Sequence, residues 1–201
     1  LWVKSRNIAG NHRWTDSTRG VTNNIISNAS DAEKGGSDAE DIDSFDSDGF
    51  TVTQAEYDDF NDGSDSYVAW SWKANGGTTS NNSDGDGASV VQANTTAGFS
   101  IVTYTGSSNE TYGHGLSQAP EMIIVKGRNV AHNWAVYHQD VQNGTANGFL
   151  ELNSTGALQT GSNPRFLNGT TSTSQPTRTV FNVNHYSGST TNASNNSDTY
   201  I

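Results

Sequence analysis

The sequence predicts an all-β protein made of two related antiparallel β-sandwich lobes, jelly-roll-like, that arise from an internal repeat. Three observations predict it. One string occurs twice, as Leu1-Trp-Val-Lys-Ser-Arg-Asn7 and as Ile123-Ile-Val-Lys-Gly-Arg-Asn129, and a long internal repeat dictates architecture. The apolar residues gather in short runs rich in Val, Ile, Phe, Tyr and Trp between turn residues, which is the signature of strands. No stretch holds a helical apolar period over three turns, and Gln54–Phe60 offers a single turn at most.

The two copies can be followed in order. Each reaches a Trp, Trp14 or Trp134, expected to be equivalent and mostly buried, and then an Asn at Asn28 or Asn153. Phe50-Thr-Val52 matches Phe181-Asn-Val183, and Ser64-Asp-Ser-Tyr-Val68 matches Ser197-Asp-Thr-Tyr-Ile201. Lys4 to Lys126 is a shift of 122 residues and Tyr67 to Tyr200 a shift of 133, so loops differ in length between matched strands. In the first copy, strands are expected at 1–7, 20–27, 50–53 and 66–73, with acidic 31–49 as loop. In the second they are expected at 89–93, 98–105, 121–127, 133–138, 148–152, 178–184 and from Thr199. Along 98–105 both faces carry bulk, so that strand is expected to be covered on both sides. Asn143-Gly144 and Asn147-Gly148 are turn signals.

The second copy has a lead-in that the first lacks, comprising Ala97–Gly106, Gly113–Leu116 and Ala119–Val125. Residues 1–73 therefore read as the C-terminal part of a first repeat module. Residues 74–88 read as a Gly/Ser/Asn/Asp linker, flexible by composition. Residues 89–201 read as a second module lacking its final strand end, and the whole as a piece of a longer array. The first lobe is expected to leave a vacant edge where an equivalent of 98–105 belongs, a liability that proteins cover.

Composition narrows the partners. Hydrophobic residues make up 31% of the 201 residues, too few for a thick core and enough for thin β-layers. The net charge of −11 argues against nucleic acid, whose phosphates demand a basic face, and against anionic membrane surfaces. No apolar run approaches the length of a membrane span, so membrane insertion is not expected. With no Cys there is neither a disulfide framework nor thiolate chemistry. The Asn-x-Ser/Thr sequons follow from a composition rich in those residues.

Four Asp, Asp41, Asp43, Asp46 and Asp48, sit beside Gly49 and are the calcium candidates. An EF-hand loop needs oxygen ligands at positions 1, 3 and 5, Gly at 6 and Glu at 12. With Gly49 as the sixth residue, Ser44, Asp46 and Asp48 fall into place, but Ala55 stands where the bidentate Glu should be. The default reading is a solvated acidic loop, and no resident cofactor is expected. The histidines do not form a repeated ligand set: His132 and His138 flank Trp134, and His114 lies in a Gly-His-Gly turn. There is no Gly-x-Ser-x-Gly elbow, phosphate loop or His-Glu-x-x-His, so no catalytic residue is assigned. A carboxylate pair for glycoside hydrolysis depends on separation in the fold; Glu110, Glu121 and Glu151 lie on or near strands. Trp70, Trp72, Trp134 and Tyr137 are candidates for stacking on sugar rings, with filling of a thin core as the competing reading.

Several strings together carry a resemblance. They are Gly98-Phe-Ser-Ile-Val-Thr-Tyr-Thr-Gly106, Gly113-His-Gly-Leu116 with Ala119-Pro120, Met122-Ile-Ile-Val-Lys126, and Asn133-Trp-Ala-Val-Tyr-His138. Ser47-Asp-Gly-Phe-Thr-Val52, Ser66-Tyr-Val-Ala-Trp-Ser-Trp-Lys73 and Ser197-Asp-Thr-Tyr-Ile201 complete the set. In these strings the chain resembles a tandem-repeat structural, tail-fibre-like module of marine bacteriophages such as cyanophages, over nearly its whole length apart from 74–88. The resemblance implies a non-catalytic virion component (tail fibre, head fibre or capsid decoration) located on the particle and extracellular. Its partners would be other virion subunits, copies of itself and a host surface glycan. A carbohydrate-binding module using surface aromatics and a glycan depolymerase domain are the alternatives. Attachment is expected at the loops 31–49 and 154–175, which differ between the copies.

Overall fold

The computed structural model describes residues 1–36, 42–53, 60–107, 109–142, 148–160, 165–166, 175–184, 191 and 197–201. Among them it contains sixteen strands, one 3₁₀ turn at Gln139–Gln142 and no α-helix, so the protein is all-β. No helix of the described residues is long and apolar enough to cross a membrane. The expected turn at Gln54–Phe60 and the signals at Asn143-Gly144 and Asn147 fall on or largely within residues outside that description.

The first part of the chain holds β1 (Trp2–Ser5), β2 (Arg13–Thr15), β3 (Asn23–Ile26), β4 (Lys34–Gly35), β5 (Ile42–Phe45), β6 (Phe50–Val52) and β7 (Tyr67–Trp70). Five of these form one antiparallel sheet in the order β4-β3-β2-β1-β7, and β5 and β6 form a hairpin. The hairpin corrects the expectation that 31–49 is loop: Ile42 is buried and Phe45 packs beside it although the residues between are polar. The core here is small. Val3, Ile42 and Phe60 are buried, and Leu1, Val21, Phe45, Phe50, Val52 and Tyr67 are packed half-buried around them.

The second part holds β8 (Ser80–Asn82), β9 (Ser89–Asn94), β10 (Phe99–Thr105), β11 (Glu110–Gly113), β12 (Met122–Val125), β13 (Ala135–His138), β14 (Leu150–Glu151), β15 (Val180–Val183) and β16 (Thr199–Tyr200). Sheets β16-β10-β9-β8 and β12-β13-β14 meet at β16, where Lys126 and Ile201 exchange backbone hydrogen bonds of 2.8 and 3.0 Å. The β11–β15 pair is separate. Tyr104, Tyr112, Val125, Ala135, Tyr137, Phe149, Phe166, Phe181, Val183 and Tyr200 make the larger core, so the strand 98–105 does reach it through Tyr104 and Val102.

Residues 74–88, expected as a flexible linker, carry β8, which pairs with β9 from Ser80↔Val91 to Asn82↔Ser89. A Cβ on Gly85 would come within 2.2 Å of the Thr111 carbonyl oxygen. The small polar residues that read as slack chain are here what permits a tight approach of one backbone to another. β11 is likewise beyond the sequence expectation: Glu-Thr-Tyr-Gly has one apolar residue, Tyr112, and it is almost fully buried.

The two parts interlock. The indole Nε1 of Trp134 donates to the carbonyls of Ile26 (3.0 Å) and Ala29 (3.1 Å). The Glu33 carboxylate accepts two bonds from Arg128, at 3.0 and 2.7 Å, and one from Arg19 at 2.8 Å. Gln92 of β9, buried, accepts from Ser17 Oγ and from the amides of Asn75 and Gly77, and donates to Thr18.

Candidate binding site

Antiparallel pairing sets residues of neighbouring strands side by side on one face. In the first sheet Trp2 lies opposite Trp14 on β2 and opposite Trp70 on β7. The three rings form a row, Trp2–Trp14 at 5.5 Å and Trp2–Trp70 at 5.3 Å between centroids. Trp134 joins from the second part, stacked on Trp14 at 5.4 Å and 19°. Trp72 lies over Trp14 at 6.3 Å and against Phe99 of β10 at 6.1 Å. These spacings are those of favourable offset and tilted aromatic pairs.

The row forms one wall of a cleft of about 720 Å³, within the usual range of ligand sites. Trp2, Trp14, Trp72 and Trp134 face it from one side, and β10 and β12 border it from the other, with Ile201 at one end. Its walls are mainly apolar. Asp16, Arg19 and Glu121 are its charged lining residues, and Asp16 and Arg19 are joined to each other by a 2.6 Å ion pair with Arg19 almost wholly buried. Such a site can hold a flat or apolar group by stacking and burial. Sequence reasoning missed Trp2 and Phe99 as members; alternation places Phe99 on a face of its strand, whereas residues 1–7 alternate poorly and give no such signal for Trp2.

The four stacking candidates separate. Trp70 and Trp72 are 45% and 44% exposed, whereas Trp134 and Tyr137 are 3% and 2% exposed. That removes Trp134 and Tyr137 as open platforms: one spends its indole N–H on Ile26 and Ala29 and its face on Trp14, and the other packs on Phe166 and bonds through its hydroxyl to Gln175. The expected equivalence of Trp14 and Trp134 depends on how the two copies are aligned. Trp2 is opposite Trp14 as Ile124 is opposite Val136, so with Lys4 placed on Lys126 it is His12 that stands where Trp134 does. Trp14 itself is only half-buried.

Of the calcium candidates, Asp41 lies outside the described residues, and Asp43, Asp46 and Asp48 are exposed. The Asp46 carboxylate accepts from Ser44 Oγ at 2.8 Å and Thr51 Oγ1 at 2.9 Å, which braces the β5–β6 turn. Among the described residues no three His, Asp or Glu side chains converge as a metal set. His114 is buried rather than a surface turn residue: its Nδ1 accepts from the Leu116 amide and its Nε2 faces the Thr177 carbonyl, which fixes a neutral ring with the proton on Nε2. Burial holds its pKa below the ordinary histidine value, against the opposing pull of that carbonyl and Asp84. Glu110 accepts the Tyr112 hydroxyl at 2.9 Å. Burial pushes Lys126 down to about 8, and its Nζ donates to the carbonyls of Gly127, Ser30 and Val130.

Over residues 1–201 the chain matches the family described as a domain of unknown function, DUF7483, and it belongs to that family. No curated protein and no solved structure matches it.

Proposed function

We propose that this chain is a non-catalytic structural and attachment module of a bacteriophage particle, extracellular, built from two tandem copies of one jelly-roll-like β-unit and joined to other virion subunits or to copies of itself. The observation that supports tandem copies is a set of hydrogen bonds made twice. Lys4 Nζ donates to the carbonyls of Ser5 and Ile8, and Lys126 Nζ to those of Gly127 and Val130. Asn7 Oδ1 accepts the Ser66 amide, and Asn129 Oδ1 accepts the Thr199 amide, each at 2.9 Å. Asn28 Oδ1 accepts the His12 amide at 2.8 Å, and Asn153 Oδ1 accepts the Trp134 amide at 2.9 Å. Shared letters can arise from composition, but the same side chain closing the same loop in both ladders is a far stronger constraint. The assignment to a phage particle rests on the string resemblance. The charge of −11 suits a part present in many copies, because repulsion opposes nonspecific association.

A second reading, binding of a host glycan, is favoured by the exposed rings of Trp70 and Trp72, since sugar rings stack on open indole faces. One experiment addresses both. The purified protein is offered to host cells and to host polysaccharide, and binding and hydrolysis are followed together. Binding without turnover is the expected result. Binding abolished by Trp70→Ala would favour the glycan reading, and turnover lost on replacing one carboxylate would replace both with a depolymerase.

A further inference from the structure

We propose that Asn75 is a self-modifying site: the amide nitrogen of Gly76 attacks the Asn75 side chain, and the isoaspartyl product loosens the glutamine that joins the two parts of the chain. Three observations carry this. Asn75 is exposed and precedes a glycine, the turn that holds the pair is open, and the turn hangs on the buried side chain of Gln92.

The turn is closed by the Thr78 amide on the Asn75 carbonyl at 3.2 Å. Its central residues, Gly76 and Gly77, lie at φ of 60° and 85°, the left-handed region that glycine enters without strain. A Cβ built on either would meet nothing within 4 Å. Among the described residues the Gly76 amide donates no hydrogen bond and Asn75 Oδ1 accepts none. Asn75 Nδ2 reaches only the Thr78 carbonyl, at 3.5 Å, beyond the usual length of such a bond. Asn7, Asn28, Asn129 and Asn153 differ on both counts. Each spends its Oδ1 on a backbone amide, at 2.8 Å for Asn28 and 2.9 Å for the others, and each precedes a residue that has a Cβ.

The reaction needs no partner but water. The Gly76 nitrogen gives its proton to solvent base and bonds to Cγ of Asn75. The Cγ–Nδ2 bond breaks, and the nitrogen leaves as ammonia after taking a proton from solvent. The product is a cyclic succinimide. Water opens it at the side-chain carbonyl, which leaves an ordinary aspartyl residue, or at the main-chain carbonyl, which leaves an isoaspartyl residue whose backbone runs through Cβ and Cγ. One water is consumed and one ammonia released, and nothing is oxidised or reduced. Glycine hinders this attack least, because it brings no side chain beside its nitrogen.

The consequence follows from what the turn holds. Gln92 Oε1 accepts the amides of Asn75 and Gly77, each at 3.2 Å, and the Ser17 hydroxyl at 2.9 Å, while its Nε2 donates to Thr18 at 3.2 Å. An isoaspartyl link inserts a methylene between the Asn75 and Gly77 amides and adds a carboxylate beside their acceptor. The two N–H groups then no longer converge on one oxygen, and negative charge stands near a carbonyl. The chain just before the turn has no slack to absorb the extra atom, because Asn94 Nδ2 holds the Lys73 carbonyl at 3.1 Å and Ala74 is buried.

The test keeps the intact protein in mildly alkaline buffer and follows conversion of amide to acid at Asn75 by peptide mapping and mass spectrometry, beside a free peptide of residues 73–80. Conversion within about tenfold of the peptide's rate is expected, since no local unfolding has to precede it; slower conversion would overturn the site. Asn75→Gln should show none at this position. The isoaspartyl fraction, separated by ion exchange, is then compared with freshly purified Asn75→Asp, which carries the charge without the added methylene. Amide exchange at Gly77 should be roughly five- to tenfold faster in the isoaspartyl protein, the loss of one hydrogen bond, and its melting temperature lower. An isoaspartyl protein that matches Asn75→Asp in both would overturn the consequence. None of these outcomes depends on whether the protein is found on a particle.

Discussion

Replacing Trp134 with Phe separates two things that this residue does. The ring is buried at 3% exposure and stacked on Trp14, and its N–H holds the carbonyls of Ile26 and Ala29 at 3.0 and 3.1 Å. Phe keeps an aromatic face against Trp14 but has no donor. Leaving buried carbonyls without their partner costs about 1–3 kcal/mol, and the smaller ring leaves a void that adds about 1 kcal/mol. The expected loss is therefore about 2–4 kcal/mol. Trp134→Ala would lose about 3–5 kcal/mol from the cavity alone, a large part of the ~5–15 kcal/mol that holds a whole domain together, so Phe is the more informative change. Urea unfolding followed by circular dichroism gives the midpoint and slope. Trp72→Phe, at a ring 44% exposed, is the control and should cost less than about 1 kcal/mol. If the two variants prove equally stable, the indole does not join the two halves and the reasoning fails.

Glu33→Gln should destabilise by about 3 kcal/mol, read in the same assay, because it removes the charge shared by Arg19 and Arg128 in a mostly buried site. Burial raises the Glu33 pKa, but hydrogen bonds from Arg128 and Arg19 outweigh it and hold the group below its ordinary value. Its stabilisation is therefore complete above the unfolded pKa, near 4, and is lost as pH falls through the folded value; the slope of stability against pH in that range should flatten in Glu33→Gln. Gly85→Ala should lower the melting temperature, with a cost of about 1–3 kcal/mol, since its Cβ would meet the Thr111 carbonyl; a slack linker at 74–88 would show no change. Trp70→Ala should cost about 1 kcal/mol or less by urea midpoint, since the residue is 45% exposed and its ring contact is the tilted one with Trp2.

What the sequence reveals depends on whether side chains or backbone carry the signal. β10 is legible because Phe99, Ile101, Val102 and Tyr104 put bulk on both faces. β8 is not, because Ser80-Asn81-Asn82 has no apolar period and owes its place to the ladder with β9. β2 is too short, with one aromatic residue in three, to be told from a turn. The aromatic residues of the cleft can be recognised as candidates by type, but which faces stay open depends on register. If the two copies are aligned on Lys4 and Lys126, matching Trp14 to Trp134 by letter would slip the register by two residues, and a slip of two preserves the face that a side chain occupies. Alternation could not expose such a slip; the pairing of Trp2 with Trp14 and Ile124 with Val136 could.

The segment 26–33 keeps contacts with the first sheet, through Ile26 in β3, the His12–Asn28 bond and the Arg19–Glu33 ion pair, and reaches the second part through the indole of Trp134, the ammonium of Lys126 and the guanidinium of Arg128. It behaves as a plug whose socket is encoded about a hundred residues away. A recombinant cut at the middle of the chain therefore exposes two cations and an indole N–H on one piece and a carboxylate on the other. Each half alone should be poorly soluble or unfolded, and the two halves mixed should recover a single cooperative melt. The unit that folds is then the interval from the plug to its socket, and changes that part the two should be costly.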